Sequence, residues 1–188
     1  MSEGSEDAAI LIATSYQALH RVLEEKPDTL ITDCTVLILF AGFYVEATLN
    51  YIIECTDKKN KLDSFPQRNN DPHRRNNPGM RDKLAWFYNE FVEVSPASNW
   101  RDINLGDIDA KLREKFPGFL ELHSFRNDIS HGRVNQSARS IATAKRLRQQ
   151  AKDLVGQLYA ITAEKGYTVP RLITYKQALA SISKQPPT

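Results

Sequence analysis

Val36-Leu37-Ile38-Leu39-Phe40-Ala41-Gly42-Phe43-Tyr44-Val45 is apolar at every position. A helix that is apolar on nearly every side must be surrounded by other helices, so this stretch marks the centre of a bundle. Asp28 or Thr29 can cap its start, and the helix runs to about 56. Glu46 follows the apolar run directly. It is either a buried partner for a cation or the start of a solvated face, since buried carboxylates are rare unless paired.

The segments on either side carry helical periodicity. Over 6–25, Ala9, Ile12, Tyr16, Leu19, His20 and Leu23 recur at spacings of three and four, and Pro27 follows the stop. Residues 57–79 change character: Lys58, Lys59 and Lys61 lead into Pro66, Pro72 and Pro78 with Asn69, Asn70, Asn76 and Asn77 between them, the composition of a long polar surface loop. From about 80, Met80, Leu84, Phe87, Phe91 and Val94 form a one-sided apolar stripe. After a loop over 95–106, Asp107 can cap a short helix through Phe116. Pro117 suits the first position of the next helix, which stops at Gly132. A last long helix over 136–164 presents Ile141, Ala144, Leu147, Ala151, Leu154, Val155, Leu158 and Ile161 on one face, and Gly166 ends it.

No repeat, alternating strand or βαβ pattern is present. The reading is an all-α bundle of about five main helices over residues 1–165, with the polar loop between the second and third. A tail follows over 166–188. In it Thr168 and Val169 favour extended structure, Tyr175 to Ile182 can form a short helix packing on the bundle, and Pro186-Pro187 should fray.

At 188 residues, with 41% apolar and 26% charged residues, the chain suits one well-buried core. A net charge of +2 does not by itself mark a nucleic-acid binder. Arg133, Arg139, Lys145, Arg146, Arg148 and Lys152 are nevertheless clustered late in the chain, where they could receive a polyanion or simply form a solvated helix face. Cys34 and Cys55 lie on one predicted helix, roughly 31 Å apart at a rise of about 1.5 Å per residue, too far for a disulfide within the chain. Two such thiols suit a reducing cytosol. The acidic opening Met1 to Asp7 is unlike a basic secretory leader, and the Val36–Val45 run is shorter than the ~20 residues that span a bilayer. The expectation is a soluble, cytoplasmic protein with no membrane segment.

Chemistry concentrates in Arg126-Asn127-Asp128-Ile129-Ser130-His131-Gly132, preceded by the largely apolar Phe119-Leu120-Glu121-Leu122-His123-Ser124-Phe125 that would hold it on a buried helix. An imidazole moves protons near neutral pH and a guanidinium binds phosphate where charge develops, a pairing suited to metal-free cleavage of a phosphodiester. The bare spacing of Arg and His is unspecific. Arg68-Asn69-Asn70-Asp71-Pro72-His73 repeats it in the Pro/Asn loop, where Pro72 blocks a regular helix. Helical context separates the two. Asn127 and His131 lie four apart on one face, as do Arg126 and Ser130, whereas Arg126 and His131 point about 140° apart. A second copy related by a two-fold axis would supply the missing wall of a cleft.

The stretch Phe125 to Gly132 resembles the signature of HEPN domains, helical bundles found in prokaryotic toxin–antitoxin and antiviral systems and in some eukaryotic RNA-processing proteins. Arg126, Asn127 and His131 match its Arg, polar residue and later His, and the helix order extends the likeness over roughly 6–165. The resemblance implies a homodimeric, metal-independent endoribonuclease whose active site lies at the interface. The RNA 2′-hydroxyl would attack the adjacent phosphate, leaving a 2′,3′-cyclic phosphate and a 5′-hydroxyl. His131 would then be general acid or base, Arg126 the phosphate holder, and Asn127 a group that orients His131 or donates to a phosphate oxygen. Ser130, Arg133 and Arg139 would contact substrate. A toxin or phage-defence effector, neutralised by a nucleotidyltransferase-type antitoxin, is the implied setting.

Blander readings stand beside this one. His131 could merely cap its helix, and Arg126 could pair with Glu121 or Asp128. His20 and His123 read as structural, and His73 as a loop residue. The bundle could also be a non-catalytic HEPN-like dimer that binds RNA, a nucleotide or a protein, or a plain scaffold. No HExxH, CxxC, Walker A or GxGxxG pattern occurs, so no metal or nucleotide-cofactor site is expected.

Overall fold

The computed structural model describes residues 3–25, 31–58, 78–93, 96, 105–133 and 137–171. Among these the chain is all-helical, with six α-helices and no strand: α1 (Glu3–Glu25), α2 (Ile31–Cys55), α3 (Met80–Phe87), α4 (Leu105–Lys115), α5 (Phe119–Ser130) and α6 (Ile141–Glu164). The all-α bundle expected from periodicity is therefore what forms. The polar loop lies outside the described residues apart from its ends, as do Arg68 to His73 and the Tyr175–Ile182 segment.

As its composition requires, α2 is the central helix. It packs against α1, α3, α5 and α6. Leu37, Ile38, Ala41, Val45, Leu49 and Ile52 are buried along it. The short apolar run Val36–Val45 is the middle of a longer apolar helix. Counted as a whole, the 22-residue stretch Cys34–Cys55 is long and apolar enough to cross a membrane by length and composition, and in the bundle 67% of its apolar window is buried. Cys34 is buried and Cys55 half-buried, both as thiols on this helix.

The stripe on α3 is buried as predicted at Met80, Leu84, Phe87 and Phe91, but the helix does not continue regularly. Tyr88–Val92 is a π-helical turn closed by the Glu93 amide donating to the Tyr88 carbonyl at 3.0 Å. Widening the turn brings residues five apart onto one face. Trp86 and Phe91 meet edge-on at 5.9 Å while Phe87 and Phe91 stack at 4.7 Å. The start of α5 also differs. Pro117 does not open it: Pro117 and Gly118 form a turn, with Gly118 at φ +86°, and the helix begins at Phe119. The last helix likewise begins later than expected, after a short 3₁₀ turn at Ser137–Arg139.

Nor is α5 a buried helix. Only Phe119 and Leu122 are fully enclosed, with Phe125 and Ile129 packed against the core at its edge. Arg126 follows Leu122 by four and precedes Ile129 by three, so it belongs to this inner stripe and faces α2. Gly42 makes room for it: a Cβ there would stand 2.7 Å from Arg126 Cγ and 3.2 Å from its Cβ. Valine at this position would overpack the α2–α5 contact. Gly42→Val is expected to cost about 2–3 kcal/mol in chemical denaturation, and a variant as stable as the parent would refute the close approach.

Candidate functional site

The site begins with a carboxylate in an apolar helix. Glu46, on α2, faces two cations from different helices: Lys83 Nζ of α3 donates to Oε1 at 2.9 Å, and Arg126 Nη2 of α5 donates to Oε2 at 3.0 Å. The side chains are 20%, 9% and 24% exposed, respectively. Of the two readings left open for Glu46, the buried ion-pair partner is the one that forms. Lys83 was missed because the α3 stripe read as purely apolar. The signal was indirect: an acid inside an apolar helix demands a cation somewhere.

Arg126 is held on several sides. Its aliphatic stem lies against Gly42 and its guanidinium carbon sits 5.7 Å from the Phe43 ring centroid. Nη1 donates to Asn127 Oδ1 at 3.2 Å. Neither local acid is its partner. Glu121 pairs with Arg146, which holds its carboxyl below the usual range, and Asp128 lies 3.5 Å from Arg133.

Helix α5 ends as its sequence predicts. His131 is the C-cap, and Gly132 at φ +73° takes a left-handed conformation that side chains disfavour. The Arg133 amide donates to the Asp128 carbonyl at 2.7 Å and the Gly132 amide to the Ile129 carbonyl at 3.0 Å, the paired bonds of a Schellman turn. The Asp128–Arg133 pair spans the two positions where such turns usually place an apolar contact, giving Asp128 a structural role. His131 is exposed. Among the described residues its ring has no side-chain hydrogen-bond or ion-pair partner, Arg126 included.

Other predicted residues fall as follows. Asn127 does not orient His131, one turn ahead. Its Nδ2 lies 3.3 Å from Nε2 of His123, one turn back. Ser130 is exposed, with Oγ donating to the Arg126 carbonyl at 2.8 Å. Arg133 is largely exposed beside Asp128. The Arg139 and His20 side chains lie outside the described set. His123, read from the sequence as structural, meets Asn127 and tilts against Phe119 at 5.9 Å. Among the described residues no three His, Cys, Asp or Glu side chains gather as metal ligands.

Glu46→Ala would leave Lys83 and Arg126 facing each other without a counter-charge. A loss of about 2 kcal/mol is expected in denaturant melts, below the value for a wholly buried pair because both cations keep some water. Burial pushes the His123 imidazole below its ordinary pKa, with Arg81 and Arg126 adding to the effect and Asp82 and Glu46 opposing it. A base with a depressed folded pKa binds its proton more readily when unfolded. The stability contributed by neutral His123 is thus full above the unfolded value, about 6.5, and is lost as pH falls from there through the folded value. Between pH 7 and pH 5 the parent Tm should fall further than that of His123→Gln. Parallel falls would remove His123 as the cause.

No family model, curated protein or solved structure matches the chain.

Proposed function

We propose that the protein is a HEPN-like, metal-independent endoribonuclease. The observation that carries this reading is the charge balance at α5. One carboxylate, Glu46, faces two cations, Lys83 and Arg126, so the cluster keeps a positive excess beside a helix end that presents an exposed imidazole. A fixed cationic excess in a partly desolvated setting attracts a phosphate more strongly than the same charges in water would. Because four contacts already fix Arg126, little rotamer entropy remains to be lost when an anion arrives.

In this mechanism the phosphate docks against the Arg126 guanidinium and His131 moves the proton. The 2′-oxygen bonds to phosphorus as the bond to the 5′-oxygen breaks. The proton leaves the 2′-hydroxyl to a base, and the departing 5′-oxygen receives one from an acid. His131 serves one of these steps, and the matching group comes from a second copy across a two-fold axis. Exposed Ser130 and Arg133, with Arg139, would line the approach. DNA lacks the 2′-hydroxyl and would not be cut. A cytoplasmic toxin or phage-defence effector, held in check by a nucleotidyltransferase-type antitoxin, is the setting the family likeness favours.

The Glu46–Arg126 pair favours a second reading. A guanidinium already engaged by a carboxylate can serve as part of a surface that binds RNA, a nucleotide or a protein partner without cleaving anything.

RNA cleavage in EDTA separates the two. The parent is expected to yield 2′,3′-cyclic phosphate ends and to leave DNA of the same sequence intact. His131→Ala should lose about 10²–10⁴-fold and Arg126→Ala about 10²–10³-fold. If the cleft is composite, mixing the two inactive variants should restore part of the activity through mixed dimers. Equal background cleavage by all three proteins, with retention of RNA on a filter, would establish the binding reading instead.

A further inference from the structure

A continuous line of hydrogen bonds crosses three helices. Lys83 and Arg126 donate to Glu46, Arg126 also donates to Asn127, and Asn127 meets His123. Arginine has only donors, so the group that Asn127 turns toward it must be the carboxamide oxygen. That choice places the Asn127 NH₂ against His123 Nε2, at 3.3 Å. An NH₂ can only donate, so Nε2 must carry a lone pair. The ring is then neutral, with its proton on Nδ1.

From this geometry we infer that His123 is a positioning residue: as a neutral Nδ1–H imidazole it fixes the Asn127 carboxamide, which in turn fixes Arg126 for the incoming phosphate. The catalytic part of this inference rests on the ribonuclease reading; the hydrogen-bond arrangement does not. Protonating His123 would set an N–H against the Asn127 NH₂. The carboxamide would lose its anchor, and among the described residues the Arg126 guanidinium would keep Glu46 as its polar partner. The charged groups that bear on the ring are Arg81 and Asp82 of α3, Glu46 of α2 and Arg126 of its own helix. Burial disfavours the imidazolium, with Arg81 and Arg126 reinforcing that and Asp82 and Glu46 opposing it. The site is thus assembled when His123 is neutral and loosened in acid, independently of the ring that moves the proton.

Two measurements on the full chain test this. The first is the ¹⁵N shifts of the His123 ring nitrogens at pH 7.5, which report the tautomer without any need for activity. A neutral ring protonated at Nδ1 is expected, with that preference lost in Asn127→Leu. A ring protonated at Nε2, or a tautomer unchanged in Asn127→Leu, overturns the inference. The second is RNA cleavage by His123→Gln and His123→Leu. Glutamine keeps an acceptor oxygen within reach of Asn127, so its rate should stay within about twofold of the parent. Leucine removes the acceptor and should lose about fivefold, the worth of one neutral hydrogen bond. Equal rates for the two variants, whether both reduced or both intact, also overturn it. Should the parent cut no RNA, the ribonuclease reading falls and the tautomer alone decides the place of His123.

Discussion

A single carboxylate on the central helix governs the arrangement around it. Glu46 lies where α2 is otherwise apolar, and an unpaired charge there would cost several kcal/mol. Lys83 from α3 and Arg126 from α5 meet that need from two directions, so the same charge that would destabilise α2 alone sets how two other helices sit on it. Steric room follows electrostatic need. Arg126 can reach Glu46 only by laying its stem across α2, and the residue beneath that stem is Gly42. The glycine, the acid one turn later and the arginine of a distant helix form one packing unit.

Much of the bundle was legible because helix burial is periodic. The α6 face from Ala144 to Ile161 is buried as its spacing predicts, and so is the α3 stripe from Met80 to Phe91. Gly132 was legible as a stop because few other residues accept its backbone conformation. The π turn at Tyr88–Val92 was not, since widening a turn by one residue leaves the apolar spacing almost unchanged while altering which rings meet. Pro117 misled for a related reason. Proline fits the first turn of a helix, but it fits a tight turn before a glycine equally well.

At the site the balance reverses: residue types were readable and partners were not. Local sequence offers Arg126 the acids Glu121 and Asp128, yet both lie off the stripe that faces the core and are taken by Arg146 and Arg133. The partner that forms is 80 positions away. Arg126 falls four residues after Leu122 and three before Ile129, which already placed it inward. What the spacing could not supply was the identity of the helix opposite. Lys83 escaped notice for the same reason and His123 was read only as structural, since each makes its polar contact with a residue on another helix or one turn away.

Arg126 and His131 differ in how firmly they are held, and the difference constrains any chemistry they share. Arg126 is fixed by a glycine beneath its stem, an aromatic ring beside its charge and polar contacts on two of its nitrogens. His131 has a fixed backbone, closed by two Schellman bonds, and an exposed ring. Preorganisation is therefore further advanced for the group that would meet negative charge than for the group that would move a proton. Because the two side chains leave the helix in different directions, no contact among the described residues would bring the ring to a phosphate docked on the guanidinium in the proposed reaction. On that proposal the missing constraint would come from a surface covering the end of α5. In the proposed reaction an anion could bind before such a surface closes, whereas proton transfer would have to wait until the imidazole is confined within hydrogen-bonding reach.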